Sequence, residues 1–142
     1  MTGDAVVLVD TGPLVALFDP SEAAHELCKR TLSRLRRRKR LTSLAVVTEA
    51  LYLLGFSGQA QRALLAFLAA GAVEIADLTV ADLSRIAALM ERYEGLPMDF
   101  GDATLVVLAE RLHTTSVFTL DRRDFNVYRV GRRAFRIVPS AS

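Results

Sequence analysis

The segment VVLV, residues 6–9, constrains the fold most strongly because it is a short apolar run that ends directly on a carboxylate, Asp10. An apolar run of this length without polar alternation is typical of a strand buried on both faces, as in a parallel sheet. Asp10 could cap a helix that begins near Pro13, or it could belong to a functional site. The distinction depends on whether other carboxylates reach the same place.

Short strand-like runs alternate with helical segments along the chain. This alternation predicts an α/β fold, a three-layer α/β/α sandwich around a mainly parallel sheet of four to five strands. The predicted strands are 5–9, 41–43, 73–76, 117–120 and 135–138, the last an edge strand. The predicted helices are 13–18, 21–37, one ending at Leu54, 59–70, 79–93 and 101–112. We expect one domain over residues 1–142, since this length suits a single core.

Composition favours a globular protein of the cytoplasm. Apolar residues make up 51% of the chain, and the longest apolar stretch, 63–73, is too short to cross a bilayer. The segment MTGDAVVLVD lacks the basic start of a secretory signal, so we expect no signal peptide and no membrane association. A single cysteine, Cys28, excludes an internal disulfide and is expected to serve packing.

Charge is unevenly distributed although the formal net charge is only +2. An acidic middle region lies between two basic clusters. The first cluster contains Lys29, Arg30, Arg34, Arg36, Arg37, Arg38, Lys39 and Arg40, and the second begins with Arg122 and Arg123. A metal-dependent enzyme that acts on a polyanion would suit this distribution, but a solvated helix end and a basic tail would produce the same pattern.

Three aspartates are expected at one edge of the predicted sheet. Ligand sites in open parallel sheets gather outside the carboxyl ends of the strands. Asp10 and Asp121 each end a predicted strand, and Asp102 lies in the first turn of a predicted helix. If the predicted elements are correct, these carboxylates meet, and Asp10 belongs to a site.

Glu49 is the fourth candidate carboxylate. Its segment, LAVVTEALYLL, is apolar nearly all round, so we expect the helix to be buried. A buried glutamate is rare unless it is paired or binds a metal. The alternative is a narrow solvent-facing stripe that Glu49 shares with Thr48 and Tyr52.

Crowded carboxylates repel one another unless a cation is bound. The sequence has no cluster of histidines and cysteines for zinc, and carboxylate oxygens favour Mg²⁺ or Mn²⁺. Asp99 and Asp124 are possible further metal ligands, with helix capping and turn formation as their structural alternatives. Thr11 and Thr119 are accessory polar residues that could bind a ligand, a water or a phosphate.

Four segments together resemble the signatures of the PIN domain, and more narrowly the VapC ribonuclease toxins of prokaryotic toxin–antitoxin pairs. They are VDTGPLVALFD, TEALYLLG, PMDFGDATLVVLAERL and VFTLDRRDFNVYR, and they span nearly the whole chain. The resemblance implies an endoribonuclease dependent on Mg²⁺ or Mn²⁺, with the family's acidic residues at Asp10, Glu49, Asp102 and Asp121. It also implies a homodimer and a small VapB-type antitoxin that wraps the toxin and can insert a basic side chain among the acids.

Two other functions are alternatives to this one. A phosphoryl-transfer domain of the receiver or haloacid-dehalogenase type needs a lysine near its aspartate, but the only lysines, Lys29 and Lys39, lie in the first basic cluster. A non-catalytic module could use the basic patch or the acidic groove for binding alone. For a nuclease, the residues expected to guide the RNA backbone are Arg34, Arg36, Arg37, Arg38, Lys39, Arg40, Arg122 and Arg123.

Overall fold

The computed structural model describes residues 5–140. The central sheet has five parallel strands: β1 (Val6–Val9), β2 (Lys39–Thr42), β3 (Glu74–Ile75), β4 (Ser116–Phe118) and β7 (Arg136–Val138). Their spatial order is β3-β2-β1-β4-β7. A separate antiparallel pair consists of β5 (Arg129–Val130) and β6 (Arg133–Ala134). The predicted parallel sheet is confirmed.

Helices cover the sheet and complete the α/β/α sandwich. They are α1 (Thr11–Phe18), α2 (His25–Arg34), α3 (Leu44–Leu53), α4 (Gly58–Ala69), α5 (Asp82–Arg92), α6 (Phe100–Leu112) and the short α7 (Arg122–Phe125). Among residues 5–140, no helix has the length and hydropathy needed to span a membrane.

The core is centred on β1 and α6. Val7, Leu8 and Val9 are fully buried, and every residue of α6 from Gly101 to Ala109 is buried. Cys28 is also fully buried, which agrees with the expected packing role. This central position fixes the start of α6 beside the carboxyl end of β1, where Asp10 lies.

The region around the first basic cluster differs from its prediction. Helix α2 begins at His25 rather than Ser21, because the Ser21 hydroxyl and N–H both donate to Asp19 Oδ1, at 2.6 and 3.0 Å, and form a turn instead. The helix also ends earlier, at Arg34, and β2 begins at Lys39 rather than Leu41. The basic cluster therefore runs from a helix end through a turn into the first residues of a strand.

The segment after β4 also differs from its prediction. Strand β4 ends at Phe118, two residues before the predicted end, and the chain then turns into α7. The pair β5–β6 was not predicted either, since its strands have only two residues each and carry no period that a sequence pattern could reveal.

Candidate active site

Six carboxylates line one cavity at the carboxyl edge of the sheet. Its volume is about 390 Å³, and the acidic residues around it are Asp10, Glu49, Asp99, Asp102, Asp121 and Asp124. Strands β1 and β4 are adjacent and parallel, with Leu8 beside Val117, so the segments that follow them emerge side by side. The topology thus brings together every acidic residue that the sequence analysis selected.

Asp10 lies at the N-cap position of α1 but makes no capping hydrogen bond. Its carboxylate Oδ2 instead accepts a hydrogen bond of 2.7 Å from the Thr119 hydroxyl, and only 7% of the residue is exposed. Capping therefore does not explain this aspartate. Burial raises the pKa of Asp10 to about 6, although the Thr119 hydroxyl opposes the shift.

Asp99 and Asp102 lie together at the start of α6. Asp99 is the N-cap, and its Oδ1 accepts a hydrogen bond of 2.8 Å from the Asp102 backbone N–H, so the capping interpretation of Asp99 is confirmed. Asp102 is 9% exposed. Burial raises the pKa of Asp102, and the negative charges of Asp10 and Asp99 raise it further.

Asp121 forms the N-cap of α7, where its Oδ1 accepts a hydrogen bond of 3.1 Å from the Asp124 N–H. The Asp121 N–H donates to the Thr119 hydroxyl oxygen at 2.9 Å. Thr119 therefore connects Asp10 to Asp121 through one hydroxyl group. Burial, followed by the charge of Asp121, raises the pKa of Asp124.

The exposure of Glu49 differs from its prediction. The residue is exposed rather than buried, because α3 buries only Val46, Val47 and Ala50 and leaves its other face open. The solvent-facing stripe with Thr48 and Tyr52 is thus the correct description of its position. The Glu49 carboxylate nevertheless lines the acidic cavity, where its Oε2 accepts a hydrogen bond of 3.1 Å from the Thr11 hydroxyl.

Tyr128 is a site residue that the sequence analysis missed. It is fully buried, and its hydroxyl donates to Asp102 Oδ2 at 2.9 Å. The two residues are 26 positions apart, and no periodicity or capping pattern links them. Only the packing against α6 of the segment that leads from Tyr128 into β5 brings them into contact.

The donor set of the cavity fits a hard divalent cation. Its charged lining groups are all carboxylates, with no histidine or cysteine, and oxygen ligands suit Mg²⁺ or Mn²⁺. Within residues 5–140, no three His, Cys, Asp or Glu side chains already stand close enough to hold one ion together. Mg²⁺ is usually bound through one or two carboxylates and several waters, so direct ligation by all four predicted acids is not required.

The first basic cluster lies at the opposite edge of the sheet. Lys39 is level with Val6, four residues before Asp10 along β1, which corresponds to about 13 Å of strand. Lys39 also forms an ion pair of 3.5 Å with Glu74. Arg40 donates to three backbone carbonyls, those of Leu35, Arg38 and Ala72. The fold therefore accounts for Arg40 without RNA.

The second basic pair lies beside the acids. Arg122 and Arg123 follow Asp121 directly in α7. Arg122 Nη1 donates to the backbone oxygen of Pro139 at 2.8 Å, whereas Arg123 is exposed and its charge acts on Asp124. Arg123 therefore lies next to Asp124, one of the carboxylates that line the cavity.

Comparison with known proteins agrees with this geometry. The family model for the PIN domain matches residues 7–131. Over 136 residues the chain is 32% identical to Ribonuclease VapC26 of Mycobacterium tuberculosis, covering 94% of this chain and all of that protein. The chain therefore belongs to the PIN-domain family and, within it, to the VapC proteins.

A solved structure supports the fold. The crystal structure of Mycobacterium tuberculosis VapC20, described as a toxin that cleaves the sarcin–ricin loop, superposes with a TM-score of 0.74. The match covers 82% of this chain and 91% of that chain at 22% sequence identity. The topology described above is therefore that of a solved VapC protein.

Proposed function

We propose that this protein is a divalent-metal-dependent endoribonuclease, the toxin of a type II toxin–antitoxin pair. The observation that carries the proposal is the single cavity with six lining carboxylates, two of which, Asp10 and Asp102, are almost fully buried. Buried carboxylates without a positive counter-charge are costly, so they are expected where a cation is bound. The ribonuclease and toxin descriptions of the similar proteins support the same activity.

The proposed metal ligands are Asp10, Asp102, Asp121 and Glu49, directly or through water, with Asp99 and Asp124 as outer contributors. A bound Mg²⁺ or Mn²⁺ would supply an activated water and neutralise negative charge on the scissile phosphate. Thr119 holds both Asp10 and the backbone of Asp121, so it keeps these two groups in fixed relation. Thr11 similarly restrains Glu49, which is otherwise a long and exposed side chain.

We propose that RNA contacts the protein at two distances from the acids. Arg123, with Arg122 beside it, would bind a phosphate next to the cavity. The other proposed contacts lie at the amino edge of the sheet, away from the acids, so their proposed role is to attract more distant phosphates and raise the encounter rate. They are Arg34, Arg36, Arg37, Arg38 and Lys39. Arg40 is the weakest of the proposed RNA contacts because three carbonyls already engage it.

We propose a homodimer that pairs through the open face of α3. Leu44, Tyr52 and Phe56, on α3 and the turn after it, are 62%, 82% and 67% exposed. Exposed apolar side chains of this size mark an interaction surface when they form one patch, as the proposed dimer requires. Sedimentation should show a dimer that dissociates in Y52E/F56E, whereas the exposed Leu83→Glu on α5 should leave it intact.

The proposed protein partner is a small VapB-type antitoxin encoded beside this chain. The acidic cavity has no Lys or Arg among its lining residues, so a basic side chain from the antitoxin would be attracted into it. Co-expression should yield a complex in which RNA cleavage is blocked.

We also propose that the chain acts as one domain, in the cytoplasm, where its RNA substrates are found.

The nuclease proposal is tested with purified, EDTA-stripped protein and a pool of structured cellular RNAs. We expect cleavage with Mg²⁺ or Mn²⁺, none with EDTA, and none by Asp10→Asn under any condition. Glu91→Gln removes one exposed carboxylate outside the cavity and should cleave as the wild type does.

Two results would contradict the proposal. Equal cleavage by the wild type and Asp10→Asn would indicate a contaminating nuclease. RNA binding without cleavage under any metal, by folded protein free of antitoxin, would favour the non-catalytic binding module.

A further inference from the structure

The hydrogen bond between Tyr128 and Asp102 connects the acidic cavity to a buried residue that the sequence did not single out. Oδ2 of Asp102 accepts the Tyr128 hydroxyl at 2.9 Å, which leaves Oδ1 and one lone pair of Oδ2 available to a ligand. The Asp102 backbone is fixed separately, through its N–H bond to Asp99. Main chain and carboxylate of this residue are therefore held by two different partners.

The Tyr128 ring is itself held rigidly. It packs edge-to-face against Tyr93 and Phe125, each with ring centroids 5.1 Å apart. Phe125 packs in turn against Phe135 at 5.3 Å. The hydroxyl consequently projects from a buried aromatic cluster with little rotational freedom, unlike the hydroxyl of a surface tyrosine.

We propose that Tyr128 is a positioning residue that orients the Asp102 carboxylate for the divalent cation. The inference rests on the proposed metal-dependent function. Outer partners that hydrogen-bond metal-ligating groups fix the direction of the ligand. Their mutation typically lowers metal affinity or activity by about 10- to 100-fold. Tyr128 has this relation to Asp102, and the aromatic cluster determines where the hydroxyl points.

A purely structural role is the alternative, in which Asp102 merely satisfies a buried hydroxyl. Tyr93 provides the matched control because it belongs to the same cluster and is also buried. Its hydroxyl accepts a hydrogen bond of 3.1 Å from the Arg129 N–H and makes no hydrogen bond to a cavity carboxylate. Tyr128→Phe and Tyr93→Phe each remove one hydroxyl from the cluster, but only the first removes a contact to a proposed metal ligand.

The experiment measures Mn²⁺ binding to EDTA-stripped protein by electron paramagnetic resonance, together with thermal unfolding of the metal-free proteins. We expect Tyr128→Phe to bind Mn²⁺ about 10-fold more weakly or worse, and Tyr93→Phe to bind it as the wild type does. Both variants should remain folded, with melting temperatures lowered by a few degrees.

Wild-type Mn²⁺ affinity in Tyr128→Phe, or an equal loss in Tyr93→Phe, would overturn the positioning role. If Asp102→Asn lost binding while Tyr128→Phe kept it, the metal site would stand and only the role of Tyr128 would fail. If the wild type bound no Mn²⁺ and cleaved no RNA, the proposed function and the inference would fail together.

Discussion

The two edges of the central sheet both carry dense charge, but the charges are held in opposite ways. At the carboxyl edge, Asp10 and Asp102 are buried, and their neighbours in the cavity are other carboxylates. At the amino edge, Arg36, Arg37 and Lys39 are exposed, and Lys39 is paired with Glu74. The acids lack a counter-charge within the cavity, whereas the cations are solvated or neutralised locally.

This difference in burial distinguishes a candidate ligand-binding site from an ordinary charged surface. A buried carboxylate that lacks a cation raises the free energy of the folded state, and the raised pKa values of Asp10 and Asp102 reflect that cost. Exposed arginines carry little such cost because water and salt screen them. A sequence shows charge density in both places, but only burial distinguishes the two.

The largest expected effects are losses of cleavage at the carboxyl edge, and Asp102 joins Asp10 in this group. Asp102→Asn should lower the RNA cleavage rate by more than about 100-fold, since it removes a proposed metal ligand rather than an outer partner. The same change should stabilise the metal-free protein, by on the order of 2 kcal/mol, because the cost of burying an ionisable carboxyl group is removed. Cleavage assays and denaturant unfolding test the two effects, with Glu91→Gln as control. If Asp102→Asn were inactive and also less stable than the wild type, the proposed role of Asp102 as a metal ligand would be contradicted.

The pH dependence of stability should reveal the same cost of burying a carboxylate. The pKa of Asp10 rises from 3.8 to about 6 on folding, so between these values the native state binds a proton that the unfolded state releases. Stability of the metal-free protein should therefore increase as pH falls from 8 towards 4, and Asp10 alone contributes up to about 3 kcal/mol. Unfolding of the wild type and Asp10→Asn at several pH values isolates this contribution as their difference. A difference that is constant with pH would show that Asp10 titrates normally.

At the amino edge, Arg40 should affect stability rather than chemistry. Its guanidinium donates to the carbonyls of Leu35, Arg38 and Ala72, so Arg40→Gln should cost about 1–2 kcal/mol of unfolding free energy. Mn²⁺ affinity should not change. Arg37→Gln, an exposed neighbour, should leave stability within about 0.5 kcal/mol of the wild type. Equal stability of the two variants would remove the structural role assigned to Arg40.

The smallest effect is expected from the exposed arginines. Replacing Arg36 and Arg37 together by Gln should weaken RNA binding a few-fold at low salt and reduce the salt dependence by about two phosphate contacts. Mn²⁺ affinity should stay at the wild-type value because these arginines precede Lys39, which is level with Val6, about 13 Å of strand away from Asp10. Binding titrations at several salt concentrations test this, and an unchanged salt slope would exclude the cluster from the RNA path.

Local sequence patterns determined the fold class and most of the candidate site. The apolar run 6–9, the alternation of strands and helices, and the cap at Asp99 depend on neighbours in the chain, so they can be read without a structure. Because parallel strands share a carboxyl edge, the same patterns predicted that Asp10, Asp102 and Asp121 would meet. The cavity brings these three residues together.

Tertiary packing alone decided the remaining features. Glu49 is exposed because α3 has only one face against the core, and an apolar sequence does not reveal how many faces its neighbours cover. Tyr128 reaches Asp102, and Thr119 reaches Asp10, across 26 and 109 residues of chain. Such contacts depend on how distant elements pack, which no local period or cap encodes. The sequence therefore determined which acids face the cavity, and the packing determined how each one is buried and held.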